Sequence, residues 1–372
     1  MKESEGSGRQ IRVGLIGCGE VTQVVHLPVL AQLSDRFEVR ALCDVSRRVR
    51  DGVGDAWGVE RRFEDLHALL AQEDLEAVLV ANPDEFHAEA VLAAVAAGKD
   101  VLVEKPMCLG LRDCDEIVAA ADANGAIVQV GYMRSHAPAL AEAKRALGEL
   151  GEIRFARVHD FLGRIGLIIE QTASVIRADD VSPSLVARAS VRREALVEEA
   201  VGALPAAVRP AYDQLLSLGS HGISTMRELL GPPGGVAYAT ARHGGAYLSA
   251  TLDYGSYVCQ FETGYDAIPR FDAHIEVYGA ERVLRVQYDT PFVRNLPVRL
   301  WLLDANGRGG VVERTVQPDW GDPFVAEWLA FHESVTRRVP PRASPVEFRQ
   351  DLELFAAMAG LMAAEVSEPV AL

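Results

Sequence analysis

The chain has 372 residues, 49% of them hydrophobic, and its 37 basic and 53 acidic side chains give a formal charge of −16. That is too long for one ordinary core and apolar enough for two, while the acidic balance, with no segregated basic face, argues against a nucleic-acid partner. The five cysteines (Cys18, Cys43, Cys108, Cys114, Cys259) form no metal or disulfide framework, residues 1–10 are polar, and no run approaches the ~18–20 apolar residues of a membrane span. A soluble, cytoplasmic, metal-free protein is therefore expected.

An apolar run at Ile11–Ile16 enters Gly17-Cys18-Gly19, and Val21–Leu33 is apolar enough to follow as a helix. A second strand, Phe37–Cys43, ends in Asp44 and is followed by an Arg-rich helical segment; Ala77–Ala81 ends in Asn82-Pro83, and Val101–Val103 ends in Glu104-Lys105-Pro106. A helix around Asp113–Asn124 stops at Gly125, before a strand at Ala126–Gly131. This alternation predicts a doubly wound parallel sheet with functional groups at the carboxyl ends of its strands.

Beyond Tyr132 the texture changes. A helix at Ala137–Leu147 and a strand at Ile153–Phe161 lead to a helical segment, about 165–210, in which Ser182-Pro183 starts a helix running toward Ala203. Another helix ends at Leu230, because Gly231 can cap it and Pro232-Pro233 stop it. Seven runs rich in β-branched and aromatic residues then follow between Val236 and Val316, separated by Gly, Asp or Asn, and predict a mostly antiparallel sheet. Helices are expected at Phe324–Val335 and Val346–Glu365. The fold class is thus α/β: a dinucleotide-binding domain over 1–131, an α+β domain with a large open sheet over 132–345, and a C-terminal helix over 346–372 packing back near the first domain.

Gly14, Gly17 and Gly19 lie at the first strand-to-helix turn, where missing side chains let a pyrophosphate approach the helix N-terminus. Thr22 stands where GxGxxG would have its third glycine. Cys18, Glu20 and Val21 complete the turn. Asp44, at the end of the second strand, can accept hydrogen bonds from both ribose hydroxyls and favours NAD, although Arg47 or Arg48 could reach the 2′-phosphate of NADP.

The stretches VGLIGCGEVTQVVHLPVL, AVLVANPDEFHAEAVLAAVAAGKDVLVEKPM and VGYMRSHAPAL closely resemble the glucose-fructose oxidoreductase, inositol dehydrogenase and MocA (Gfo/Idh/MocA) family, and LGSHGISTMRELLG and FVAEWLAFHESV resemble it more weakly. The resemblance implies a Rossmann domain, then a domain whose open sheet serves assembly into a homodimer or homotetramer and whose inner face holds a sugar, cyclitol or other small polyol. It also implies that Lys105 contacts the reacting hydroxyl and that His221 exchanges its proton while hydride passes to or from nicotinamide. An imidazole near its normal pKa of ~6.5 suits that task, and an ammonium suits a developing alkoxide. Asn82, Pro83, His87 and Glu104 would line the nicotinamide side; Tyr132, Arg134 and Asp160 would face substrate. His26 reads as a structural helix residue.

Ser217 departs from the family. It stands where the family's DxGxH element has aspartate, so the carboxylate expected beside His221 is missing. Asp213 lies about 12 Å from His221 along an ideal helix, which leaves Asp160 as the substitute candidate. Alternatives to a net dehydrogenase are a redox-neutral elimination or epimerisation through transient oxidation by tightly held NAD, and a catalytically impaired sensor of NAD or ligand.

Overall fold

The computed structural model describes residues 9–367. Its contacts divide the described chain into two compact units, each discontinuous in sequence. The first holds the chain through Gly131 together with Ala173–Ala200 and Phe324–Arg349; the second holds Tyr132–Thr172, Val201–Pro323 and the chain from Gln350.

In the first unit β1 (Ile11–Ile16) leads through the glycine turn into a π-type turn at Thr22–His26, continued by α1 (Leu27–Gln32). There follow β2 (Phe37–Cys43), α2 (Arg47–Trp57), β3 (Arg61–Phe63), α3 (Leu66–Leu70), β4 (Ala77–Val80), α4 (His87–Ala96), β5 (Asp100–Val103), α5 (Leu111–Asn124) and β6 (Val128–Val130). The strands form a parallel sheet in the order β3-β2-β1-β4-β5-β6. Every residue of β4 and β5 is buried, as befits strands covered on both faces. The order reverses beside β1, so its carboxyl end and that of β4 flank the crevice where such sheets bind ligands.

The remaining elements are α6 (Pro138–Gly148), β7 (Phe155–Leu162), α7 (Ile165–Thr172), α8 (Pro183–Val201), α9 (Arg209–Gln214), α10 (Ser220–Leu230), β8 (Gly235–Arg242), β9 (Tyr247–Asp253), β10 (Val258–Tyr265), β11 (Phe271–Tyr278), β12 (Arg282–Tyr288), β13 (Arg299–Ala305), β14 (Val311–Val316), α11 (Pro323–Arg337) and α12 (Pro345–Ser367). Eight of the strands form the second sheet, β14-β13-β12-β11-β7-β10-β9-β8, antiparallel except where β7 meets β10. Along β7, Ala156, Val158, Asp160 and Leu162 are buried while the residues between them are only half so, the period-2 signature of a strand with one packed face. That face receives α10. A Cβ at Gly222 would come within 2.9 Å of Val158 and 3.3 Å of Phe261, so a larger residue there would hold the helix off the sheet.

Several boundaries differ from the sequence reading. The first helix opens in a wider turn, and β3, with two arginines in three residues, is too short for periodicity to register. The 165–210 segment is not helical throughout: residues 173–182 have no regular secondary structure, and 173–200 belong with the first unit. The C-terminal helix, expected to return to the first domain, divides at Arg349, and its remainder belongs with the second unit. Asp351 shows the reason. Its side chain is fully buried, accepts from Arg227 Nε at 2.5 Å through Oδ1, and accepts from the Tyr132 hydroxyl at 2.8 Å through Oδ2.

Removing one member of a buried ion pair leaves the other charge uncompensated. Asp351→Ala is therefore expected to lower the unfolding free energy by about 3–5 kcal/mol in urea titrations. A loss under about 1 kcal/mol, the range of an exposed pair, would show that the pair does not hold α12.

Candidate active site

The glycine turn is built for a close ligand backbone. Gly17 has φ +90°, and a Cβ there would sit 2.4 Å from the Ala81 carbonyl and the Asn82 nitrogen, so side chains are excluded by the end of β4 as well as by backbone conformation. A Cβ at Gly19 would meet no protein atom within 4 Å, leaving room beside the start of the helix for a pyrophosphate. Thr22, in the third glycine's place, locks the turn: its hydroxyl donates to Gly17 O at 2.8 Å, and Gln23 Nε2 donates to Cys18 O at 2.8 Å. Val21 is half-buried beside them. Burial, reinforced by Asp44, pushes the Cys18 thiol far above its ordinary pKa, so its backbone, and not its sulfur, serves the site.

Asp44 is fixed from two sides. Oδ2 accepts from Cys18 N–H and Oδ1 from Ser46 N–H, each at 2.9 Å, and each carboxylate oxygen keeps a further lone pair for a ribose hydroxyl. The arginines behind it are already paired, Arg47 with Asp51 and Arg48 with Asp179. Asn82 Oδ1, after β4, is a buried acceptor with no protein donor among the described residues, a group that a bound ligand's N–H or O–H would satisfy.

At the end of β5 a chain of hydrogen bonds backs Lys105. The Trp328 indole N–H donates to His26 Nδ1 at 3.1 Å, which makes Nδ1 an acceptor and leaves Nε2 as the N–H donor to Glu104 Oε1 at 2.9 Å. Glu104 Oε2 in turn accepts from the Lys105 backbone N–H at 3.1 Å. Burial opposes the Glu104 charge, but the His26 hydrogen bond and the neighbouring Lys105 outweigh it and hold the carboxyl below its usual range. The Lys105-Pro106 peptide is cis.

His87, expected near nicotinamide, spends its ring inside the protein. Nδ1 lies 2.7 Å from Pro106 O and Nε2 2.7 Å from Asn82 O, tying the β5 turn to the β4 turn. Two carbonyl partners call for both ring protons, whereas burial pulls its pKa below the ordinary histidine value. Pro83 is exposed beside it.

In the second unit the residues expected to face substrate are engaged internally. Tyr132 is 2% exposed and its hydroxyl is given to Asp351. Arg134 grips Asp160 through both nitrogens of its fork, Nη1 to Oδ2 at 2.6 Å and Nη2 to Oδ1 at 3.2 Å, with its guanidinium 5.5 Å from the Phe271 ring centre and 5.3 Å from that of Tyr288. Asp160 is thus a buried carboxylate paired with Arg134. His221 is the second residue of α10 and half-buried, immediately before Gly222. Ser217 sits in a π-type turn, Leu215–Gly219, that joins α9 to α10, and its hydroxyl donates to Gln214 O at 3.4 Å. Among the described residues no helix is long and apolar enough to cross a membrane.

Residues 11–132 match the model of an oxidoreductase family with an NAD-binding Rossmann fold, Gfo/Idh/MocA. An inositol 2-dehydrogenase of Paracoccus denitrificans is 36% identical over 142 residues, and one of Salmonella typhimurium 31% over 146, each match covering 38% of this chain. These matches span 42% and 43% of the relatives' own lengths, less than half of either protein. Two solved structures share the fold across nearly the whole chain. KijD10, a 3-ketoreductase from Actinomadura kijaniata in complex with NADP, has a TM-score of 0.72 at 20% identity and covers 95% of this chain and 98% of its own. An oxidoreductase from Desulfitobacterium hafniense described as NADPH-dependent has a TM-score of 0.75 at 18% identity and 96% coverage of both chains. Residues 11–132 are thus similar to the NAD-binding Rossmann domain of the Gfo/Idh/MocA oxidoreductase family.

Proposed function

We propose that the protein is a nicotinamide-dependent dehydrogenase or reductase acting on a ring hydroxyl or ketone of a sugar, cyclitol or related polyol. The observation that carries this reading is the buried Trp328–His26–Glu104 chain, which fixes the backbone of Lys105 at the carboxyl end of β5, in a domain whose glycine turn and Asp44 suit a dinucleotide. The inositol 2-dehydrogenase and 3-ketoreductase relatives support the substrate class.

Nicotinamide, when bound, supplies the hydride acceptor or donor. Lys105 places an ammonium against the reacting oxygen and stabilises its alkoxide character. His221 takes the hydroxyl proton during oxidation and returns it during reduction. Glu104 and His26 are positioning residues, holding the turn that presents Lys105. With Ser217 in place of a carboxylate, His221 has less electrostatic support for its imidazolium. Asp44 is the ribose acceptor and favours NAD. The size of the eight-stranded sheet supports a homodimer or homotetramer in which a second copy covers its open face.

Nicotinamide absorbance should change when a panel of sugars, cyclitols and their keto forms is offered with NAD(H), and Lys105→Ala or His221→Ala should each lower kcat/KM at least ~100-fold. If nucleotide binds but no panel member turns over, net redox chemistry is excluded and the redox-neutral or sensing alternatives take its place. In Gly17→Ala, whose Cβ must displace the end of β4, nucleotide affinity measured by calorimetry should fall by at least about tenfold. Unchanged affinity would remove this turn from the site.

Glu104 also has a pH signature. A carboxyl held below its unfolded pKa of about 4.3 gives its stabilisation in full above that pH and loses it as pH falls toward the lower folded value. Glu104→Gln should therefore flatten the loss of stability seen in urea unfolding below about pH 4.3. An equally steep acid limb would show that Glu104 is not held ionised.

A further inference from the structure

Residues 173–182 run as a strap from the glycine turn to the start of α2, the two turns whose backbone N–H groups hold Asp44. On the first turn's side, Gln23 holds the backbone of Ile176 in both directions, Nε2 donating to its carbonyl at 2.9 Å and Oε1 accepting from its N–H at 2.8 Å, while Arg177 pairs with Glu20 at 2.6 Å. On the second turn's side, Ile176 lies so near α2 that a Cβ at Gly52 would meet its Cδ1 at 2.9 Å. The strap then delivers two adjacent carboxylates to the start of α2. Asp180 Oδ1 accepts from the Ser46 hydroxyl at 2.5 Å and Oδ2 from Arg48 N–H at 3.0 Å, and Asp179 pairs with the Arg48 guanidinium.

The groups so engaged are a hydroxyl, a helix N-terminal amide and a guanidinium, just beyond the acidic residue that meets a ribose. They are the donors that could receive a ribose 2′-phosphate at this place in a doubly wound sheet. The chain has filled that anion position with anions of its own. Arg47, the other nearby cation, pairs with Asp51 along α2.

We propose that the strap is a cofactor-selecting element: Asp179 and Asp180 occupy the anion site at the start of α2 and exclude the 2′-phosphate, restricting the crevice to NAD. This rests on the reading that the glycine turn and Asp44 hold a nicotinamide dinucleotide. A phosphate would have to displace the two carboxylates that hold this hydroxyl, amide and guanidinium, and would meet their charge at short range, whereas a 2′-hydroxyl needs only Asp44. The segment lies outside the glycine turn and the Asp44 position that usually set this choice.

The test is calorimetric titration of NADH and NADPH into the full chain and into the Asp179→Asn, Asp180→Asn and double variants, with circular dichroism to verify folding. The wild type should bind NADH in preference to NADPH, and the ratio of the two dissociation constants should fall at least about tenfold in the double variant, roughly 1.4 kcal/mol, with smaller falls in the single variants. A wild type that prefers NADPH, or a ratio that stays within about threefold in every folded variant while NADH still binds, would overturn the strap's role and leave the dinucleotide reading intact. If the folded wild type binds neither nucleotide, the dinucleotide reading fails and takes this proposal with it.

Discussion

A carboxylate at the end of a buried parallel strand has to be given partners, and Glu104 is the point at which this molecule meets that demand. One oxygen is met by His26 from the first π-type turn, the other by the backbone of Lys105, and His26 is itself oriented by Trp328 from α11. Ionised and enclosed, Glu104 couples three stretches of chain that share no local sequence. The two neighbouring strand ends follow the same pattern, Gly17 pressed beneath the Ala81 carbonyl and His87 spanning Asn82 and Pro106. The carboxyl ends of β1, β4 and β5 are thus cross-tied before any ligand is considered.

The second unit solves the same problem with full ion pairs. Asp160 and Asp351 are both buried carboxylates gripped by arginines, and the Asp351 pair takes in Tyr132 as well. Residues whose type suggests substrate contact therefore serve to specify the packing of α10, α12 and β7. His221 immediately precedes Gly222, where an added Cβ would come within 2.9 Å of Val158 on β7, so its placement depends on that small residue.

Much of the fold could be read in advance, because it is written in local patterns. Parallel strands such as Ala77–Val80 are continuous apolar runs, the antiparallel ones alternate, and Gly125 and Gly231 end their helices. The glycine turn and Asp44 could be placed for the same reason, each following a recognisable strand. What escaped reading are pairings with no local signature. His26 and Trp328 lie 302 positions apart, and nothing in HLP or in EWLAFH announces that one orients the other. Nor does a tyrosine after the last Rossmann strand reveal that its hydroxyl will be claimed by an aspartate 219 residues later. The 173–182 strap was hidden differently: it has no periodicity, and its adjacent aspartates look like an ordinary solvated pair until they are seen against Ser46 and Arg48.

The discontinuity of the first unit bears on how the protein is made. A chain emerging from the ribosome has delivered all six strands of the parallel sheet by residue 131, yet the indole that orients His26 arrives almost two hundred residues later, and the strap that bridges Gln23 and Ser46 arrives between the two. Until then Glu104 is a carboxylate whose histidine lacks its indole partner. The strands of the parallel sheet thus precede in the chain the residues that complete its hydrogen-bond chain and its strap.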